Sequence, residues 1–129
     1  MPRLNRLHHI AIICSDYQRS RQFYTDILGF SIIAETFRPE RHSWKLDLAL
    51  NSVFTIELFS FPEAPQRPSY PEARGLRHIA FEVDDLDVAV ADLAAKNVVT
   101  EPIRIDTITG KRFTFFADPD DLPIELYEK

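Results

Sequence analysis

The chain has only one cysteine, Cys14, in 129 residues. It cannot form an intrachain disulfide, which is typical of proteins from a reducing compartment. It also lacks any apolar run near the roughly 20 residues that span a bilayer. The opening residues, MPRLNRLHH, are too polar for a signal peptide. We therefore expect a cytoplasmic protein that does not have a membrane as a partner.

Basic residues are outnumbered, since 15 Lys and Arg stand against 20 Asp and Glu, for a net charge of -5. Such a surface repels a phosphate backbone, so nucleic acid is not an expected partner. Core material is plentiful, because 45% of the residues are hydrophobic and ten are Phe, which excludes disorder of the whole chain. The length suits one domain over residues 1–129, or two small duplicated modules within it.

Two parts of the chain resemble each other at a nearly constant offset. The segment LHHIAI around His9 matches LRHIAF around His78, 69 positions later. Further on, the tripeptide IEL at Glu57 matches IEL at Glu125, 68 positions later. Two matches in nearly the same register predict a duplicated unit.

The hydrophobic periodicity predicts the same βαβββ order in both units, and hence an α+β fold. Each unit opens with a strand, followed by an aspartate at a common offset, Asp16 or Asp85, and a helical pattern. Asp16 is the expected N-cap of the first helix, and Gly29 its end. The strands are predicted over residues 7–14, 30–35, 44–50 and 53–59, and over 78–83, 98–99, 112–116 and 123–127.

A proline-rich segment separates the units, with four prolines between Phe61 and Pro71. Proline at this density prevents both a helix and a central strand. We therefore predict module one over about 7–60, a linker over about 61–75 and module two over about 76–128.

Four residues are candidate metal ligands: His9, Glu57, His78 and Glu125. We expect all four near the middle of strands, on the polar face, because each glutamate is flanked by Ile and Leu, His9 lies in an apolar strand, and side chains alternate along a strand. Buried carboxylates need a partner, and two imidazoles with two carboxylates suit a divalent metal. His8 is the alternative to His9, but only His9 keeps the register of His78, so His8 is expected on the opposite face.

These residues resemble the vicinal oxygen chelate superfamily over nearly the whole chain. The motifs are the opening HIAI strand, the helix end FYTDILGF and DPD before IEL at Glu125. The resemblance implies the glyoxalase/bleomycin resistance fold, in which two βαβββ modules form a curved, barrel-like mixed sheet. Asp121 departs from the pattern, because the superfamily usually has Gly after DPD, so we expect a strained or altered turn there.

Within that superfamily, the set His, Glu, His, Glu is similar to short bacterial glyoxalase I. The resemblance implies a lyase or isomerase that acts on a small substrate with vicinal oxygens through an enediolate. It would use Ni, Zn, Co, Mn or Fe. It makes Glu125 the catalytic base and Glu57 a ligand or second base. Alternatives are a dioxygenase, a thiol transferase or a metal-free protein that sequesters a ligand.

Two positions depart from glyoxalase I, which has an Arg where this chain has Ile13 and an Asn where it has Phe61. That Arg and that Asn normally contact glutathione, so the resemblance does not extend to glutathione as the co-substrate. Lys45 and the pair Lys111 and Arg112 are further candidates for lining the site. Cys14 is expected to serve packing rather than catalysis. Relatives often complete the barrel across chains, so we also expect a homodimer.

Overall fold

The computed structural model describes residues 1–129. The chain separates into two compact units, Met1–Pro65 and Gln66–Lys129. No helix in either unit is both long enough and apolar enough to cross a membrane. The finer module and linker bounds given above stay a prediction.

The first unit contains one four-stranded sheet in the order β1-β4-β3-β2. β1 pairs with β4 in parallel, and the other neighbours are antiparallel. A helix, α1, continues into a π-helical stretch before β2, and a 3-10 turn precedes β3. The bounds are β1 Ile10–Cys14, α1 Tyr17–Gln22, π-helix Phe23–Ile27, β2 Ser31–Arg38, 3-10 turn Pro39–Arg41, β3 Ser43–Leu50 and β4 Val53–Ser60.

The second unit repeats this topology, with the strand order β5-β8-β7-β6 and a parallel β5–β8 pair. Its bounds are β5 Ile79–Val83, α2 Leu86–Ala95, β6 Arg104–Ile105, β7 Arg112–Ala117 and β8 Pro123–Glu128. The predicted α+β class, with two βαβββ units and mixed sheets, is confirmed.

The two helices begin in the same way. The Asp16 carboxylate accepts from the Arg19 backbone N–H at 3.2 Å, and Asp85 accepts from that of Val88 at 3.1 Å. Each aspartate is extended and satisfies one of the otherwise unpaired N–H groups of a first helical turn. The N-cap predicted at Asp16 is confirmed.

Side-chain alternation decides which face of each sheet is buried. Leu46, Leu48, Ile56 and Leu58 are fully buried on one face of the first sheet. The residues between them, including Glu57, therefore point from the opposite face. In β8, Ile124 and Leu126 are buried and Glu125 alternates with them.

One predicted strand is wrong. Residues 98–99 form no strand, and β6 lies instead at Arg104–Ile105. The Val98 backbone N–H donates to the Leu93 carbonyl at 2.9 Å, after Asn97 adopts a positive φ of 62°. Val98 is therefore used to end α2 rather than to begin a strand.

The turn at Asp121 keeps the left-handed conformation that glycine adopts readily, with φ of 68°. The Asp118 carboxylate accepts from the backbone N–H groups of Asp120 and Leu122, both at 2.9 Å. The Ser69 hydroxyl donates to the Asp121 carbonyl at 2.6 Å. These contacts hold the turn in a conformation that costs more for aspartate than for glycine.

Candidate metal centre

In the first unit, the β1–β4 pairing brings an imidazole next to a carboxylate. His9 directly precedes β1, and Glu57 lies in β4 opposite Ala11. The His9 Nε2 and Glu57 Oε2 atoms are 3.7 Å apart. The parallel register is what brings residues so distant in sequence together.

The second unit reproduces this arrangement. His78 directly precedes β5, Glu125 lies opposite Ala80, and His78 Nε2 is 3.9 Å from Glu125 Oε1. In both pairs the histidine side chain is 33% exposed and the glutamate 16%. The sequence repeat is therefore also a repeat of local geometry.

The donor chemistry of each pair fits a divalent metal ion. Two ligands on one ion with bonds of about 2.1 Å lie at most about 4.2 Å apart. Both nitrogen-to-oxygen separations, 3.7 and 3.9 Å, fall within that limit. Each unit by itself supplies one imidazole and one carboxylate, and neither unit alone gathers three such groups.

The placement of the histidines differs from the prediction. His9 and His78 precede their strands instead of lying in the middle of them. His8 is not on an opposite face, because its Nδ1 is 2.8 Å from the Nδ1 of His9. Both rings also contact Phe54. Strict alternation fails here because neither histidine belongs to a hydrogen-bonded strand.

The His8 contact bears on how His9 is oriented. In a hydrogen bond between two imidazole nitrogens one ring donates and the other accepts, so the Nδ1 position of His9 is occupied. Its Nε2 is left facing Glu57. Metal-binding histidines usually have their second nitrogen hydrogen-bonded, which fixes the orientation of the ring. The adjacent histidines in the sequence were the signal for this contact.

Lys45 makes the two units chemically different. Its Nζ is 2.7 and 2.9 Å from the two Asp47 carboxylate oxygens and 3.6 Å from Glu57 Oε2. The corresponding register positions in the second unit, beside Glu125, are Phe113 and Phe115. Glu57 therefore has a cationic neighbour, whereas aromatic residues flank Glu125.

Lys111 and Arg112 are engaged elsewhere. The Arg112 guanidinium contacts Glu128 at 2.8 Å and Asp87 of α2 at 3.1 Å. Hydrogen bonding by Arg112 lowers the pKa of the Glu128 carboxyl below its usual value. Lys111 Nζ donates to the Lys129 carbonyl. These two residues stabilise the second unit and do not join its His–Glu pair.

A second polar network lies in the first unit. The Tyr17 hydroxyl and the Arg21 guanidinium both donate to Glu35. Burial, followed by the bond to Glu35, raises the pKa of Tyr17, and the bonds from Tyr17 and Arg21 lower the pKa of Glu35. Because Glu35 pairs with the buried Leu46, it lies on the sheet face opposite Glu57. Cys14 is buried, with 2% of its surface exposed.

Comparison with known proteins identifies the family. Residues 6–126 match the model of the glyoxalase/bleomycin resistance protein/dioxygenase superfamily. The chain belongs to this superfamily. It is 62% identical to YwkD of Bacillus subtilis and to YaeR of Escherichia coli, each over 126 residues covering 98% of both chains. The crystal structure of a glyoxalase family protein from Enterococcus faecalis is 48% identical, with a TM-score of 0.89 over 95% of this chain and 97% of that one.

More distant superfamily members include named enzymes. Human methylmalonyl-CoA epimerase is 30% identical over 124 residues, which cover 91% of this chain and 69% of the epimerase. Lactoylglutathione lyase GLX1 of Arabidopsis thaliana is 27% identical over 130 residues, but this chain matches only 44% of its length. The superfamily thus includes enzymes among its members.

Proposed function

We propose that the chain is a metal-dependent lyase or isomerase of the glyoxalase I type. Its substrate would be a small molecule with neighbouring oxygens. The observation that carries the proposal is the His–Glu pair that recurs in both units with matching separation and exposure. His9, Glu57, His78 and Glu125 together would hold one divalent ion, such as Ni, Zn, Co, Mn or Fe.

When bound, the ion would supply positive charge close to the substrate oxygens, where it stabilises negative charge that develops during the reaction. The remaining chemistry is assigned to this chain's own residues. Glu125 would remove a proton from the hydroxyl-bearing carbon next to a carbonyl and return it to the former carbonyl carbon, while the hydroxyl proton moves to the other oxygen.

The difference between the units supports separate roles for the two glutamates. Lys45 holds the Glu57 carboxylate from one side while His9 lies on the other. Glu125 has no lysine beside it and is flanked instead by Phe113 and Phe115. We therefore assign Glu57 as a ligand only, and Glu125 as the ligand that also acts as the base.

Two apolar residues near the first His–Glu pair do not favour glutathione as the co-substrate. Ile13 is 52% exposed and its register partner is Phe59, so the face near the His9–Glu57 pair is apolar at that position. Phe61 stacks on Phe59, with ring centroids 5.5 Å apart. Neither Ile13 nor Phe61 can make the polar contacts that glyoxalase I makes to glutathione.

We further propose that the protein acts in the cytoplasm as a homodimer. The edge strand β2 supports the dimer, since it exposes Ile32, Ile33 and Phe37 by 40%, 54% and 43%. An edge strand with apolar side chains favours pairing with another copy.

The test is a metal-replacement activity screen. Metal-free protein is reconstituted separately with each of the five metals and assayed on hemithioacetals formed from several thiols. The proposal expects turnover with at least one metal and none in the metal-free protein. A protein that binds such compounds tightly without converting them would instead be a sequestering protein.

A further inference from the structure

Two arginines in the first unit converge on one aromatic ring. The Arg38 Cζ lies 4.8 Å from the centroid of Phe59 and 5.6 Å from that of Phe61. The Arg41 Cζ lies 4.9 Å from the Phe61 centroid. The stacked Phe59 and Phe61 rings thus support two guanidinium groups.

Neither guanidinium has a carboxylate partner. Arg38 donates through Nη2 to the Ser43 hydroxyl at 3.2 Å, and its Nε is buried without an acceptor. The Arg41 side chain forms no ion pair and no hydrogen bond. By contrast, Arg21 and Arg112 both bind carboxylates. The two unpaired guanidiniums are distinguished by the aromatic rings that support both of them.

A guanidinium has five N–H donors in a planar fork that matches a carboxylate or phosphate. Arg38 uses one of them, so most of its capacity is unsatisfied. A buried donor without an acceptor is unfavourable, and an oxyanion can relieve it after a small rotation of the side chain. The aromatic rings hold the two cations in place without neutralising them.

The pair lies at one end of the face that carries Glu57. Phe59 follows Glu57 by two positions in β4, so both side chains are on the same face. The Arg38 guanidinium stacks on that Phe59 ring, and Arg38 ends β2 opposite Ser43. A molecule whose oxyanion is held there would extend along the sheet towards Glu57.

We propose that Arg38 and Arg41 form a binding site for an oxyanion, and that it takes the carboxylate or phosphate group of the substrate. The oxyanion site itself is inferred only from the contacts of the two arginines. Its assignment to the substrate rests on the function proposed above. The substrate class then narrows to small anionic compounds with vicinal oxygens.

The test titrates metal-free protein with inorganic phosphate and, separately, with malonate. The metal is removed with a chelator that is then dialysed away. Binding is followed by the backbone and arginine Nε–H signals in nitrogen-15 spectra. The variants are Arg38→Gln and Arg41→Gln, with Arg19→Gln as the matched control, because Arg19 is an exposed arginine of the same unit.

We expect saturable binding of at least one anion, weakened about tenfold or more in Arg38→Gln, weakened in Arg41→Gln and unchanged in Arg19→Gln. The anion that binds more tightly, phosphate or malonate, indicates whether the site takes a phosphate or a carboxylate group. No saturable binding of either anion, or equal binding in the Arg41→Gln and Arg19→Gln proteins, would overturn the site. Arg41 is exposed, so its variant decides the matter even if Arg38→Gln does not fold.

This outcome is separable from that of the proposed function. Metal-dependent turnover in a protein that binds neither anion would reject the oxyanion site alone. Anion binding that depends on Arg41 in a protein without metal or turnover would reject the proposed function alone.

Discussion

Replacing Glu125 with Gln should nearly abolish turnover while leaving most of the metal bound. The amide has the shape of the carboxylate, and its carbonyl oxygen can remain beside His78, as the Glu125 oxygen does at 3.9 Å. It cannot accept the proton that the reaction must move. Loss of a general base typically lowers the rate by about 10²- to 10⁴-fold, which corresponds to roughly 3 to 5 kcal/mol of transition-state stabilisation.

Glu57→Gln is the matched control, because Glu57 has the same 16% exposure and a similar distance to its histidine. The Lys45–Glu57 attraction at 3.6 Å amounts to about 1 kcal/mol in water and about 5 kcal/mol at an effective dielectric constant of 20. Losing it does not leave Lys45 unpaired, because Asp47 remains 2.7 Å away. We therefore expect Glu57→Gln to fold and to lose less activity than Glu125→Gln.

The assay measures initial rates of both variants on the hemithioacetal that the wild-type protein converts fastest. Elemental analysis of each sample gives the rate per bound metal ion, so that metal loss is not counted as loss of chemistry. Wild-type activity per metal in Glu125→Gln would refute the assignment of the base. An equal fall in both variants would refute the separate roles of the two glutamates.

Three further predictions concern stability and assembly. Because the pKa of Glu35 is lowered in the folded protein, its ionised carboxylate stabilises the folded state at pH values above the ordinary pKa of 4.5. This contribution disappears as the pH falls through the lower pKa of the folded state. The wild-type protein should unfold at a higher temperature than Glu35→Gln, and this difference should shrink as the pH is lowered from about 7 to about 3. A difference that does not depend on pH would contradict the prediction. Asp85→Ala should cost about 1 kcal/mol and lower the calorimetric midpoint by about 3 to 5 °C, since Val88 loses its cap; an unchanged midpoint would argue against the cap. Light scattering should give the mass of a dimer, and a monomer at micromolar concentration would rule the homodimer out.

The sequence was sufficient where local chemistry decides the structure. The cap at Asp16 follows from nearest neighbours, and the placement of Glu57 on the face opposite the buried residues follows from strand periodicity. It was insufficient at the ends of the elements, where a short-range contact replaces the alternation of a strand. Val98 ends α2 instead of beginning a strand, and His8 contacts His9 instead of pointing away from it.

The roles of arginines were hardest to predict. Arg38 and Arg112 look alike in a sequence as surface charges. One stacks on phenylalanines without a carboxylate, and the other binds Glu128. Only the strand register distinguishes them, because it decides which side chains face each guanidinium.

The central claim is that the two His–Glu pairs hold a metal, and elemental analysis of natively purified protein tests it most directly. The variants are His9→Ala and His78→Ala, with His42→Ala as the control, since His42 is exposed and belongs to neither pair. We predict about one divalent ion per chain in the wild-type protein and in His42→Ala, because imidazole and carboxylate ligands together suit one such ion. The same analysis should find little metal in His9→Ala or His78→Ala. Equal metal content in His78→Ala and the wild-type protein would contradict the account.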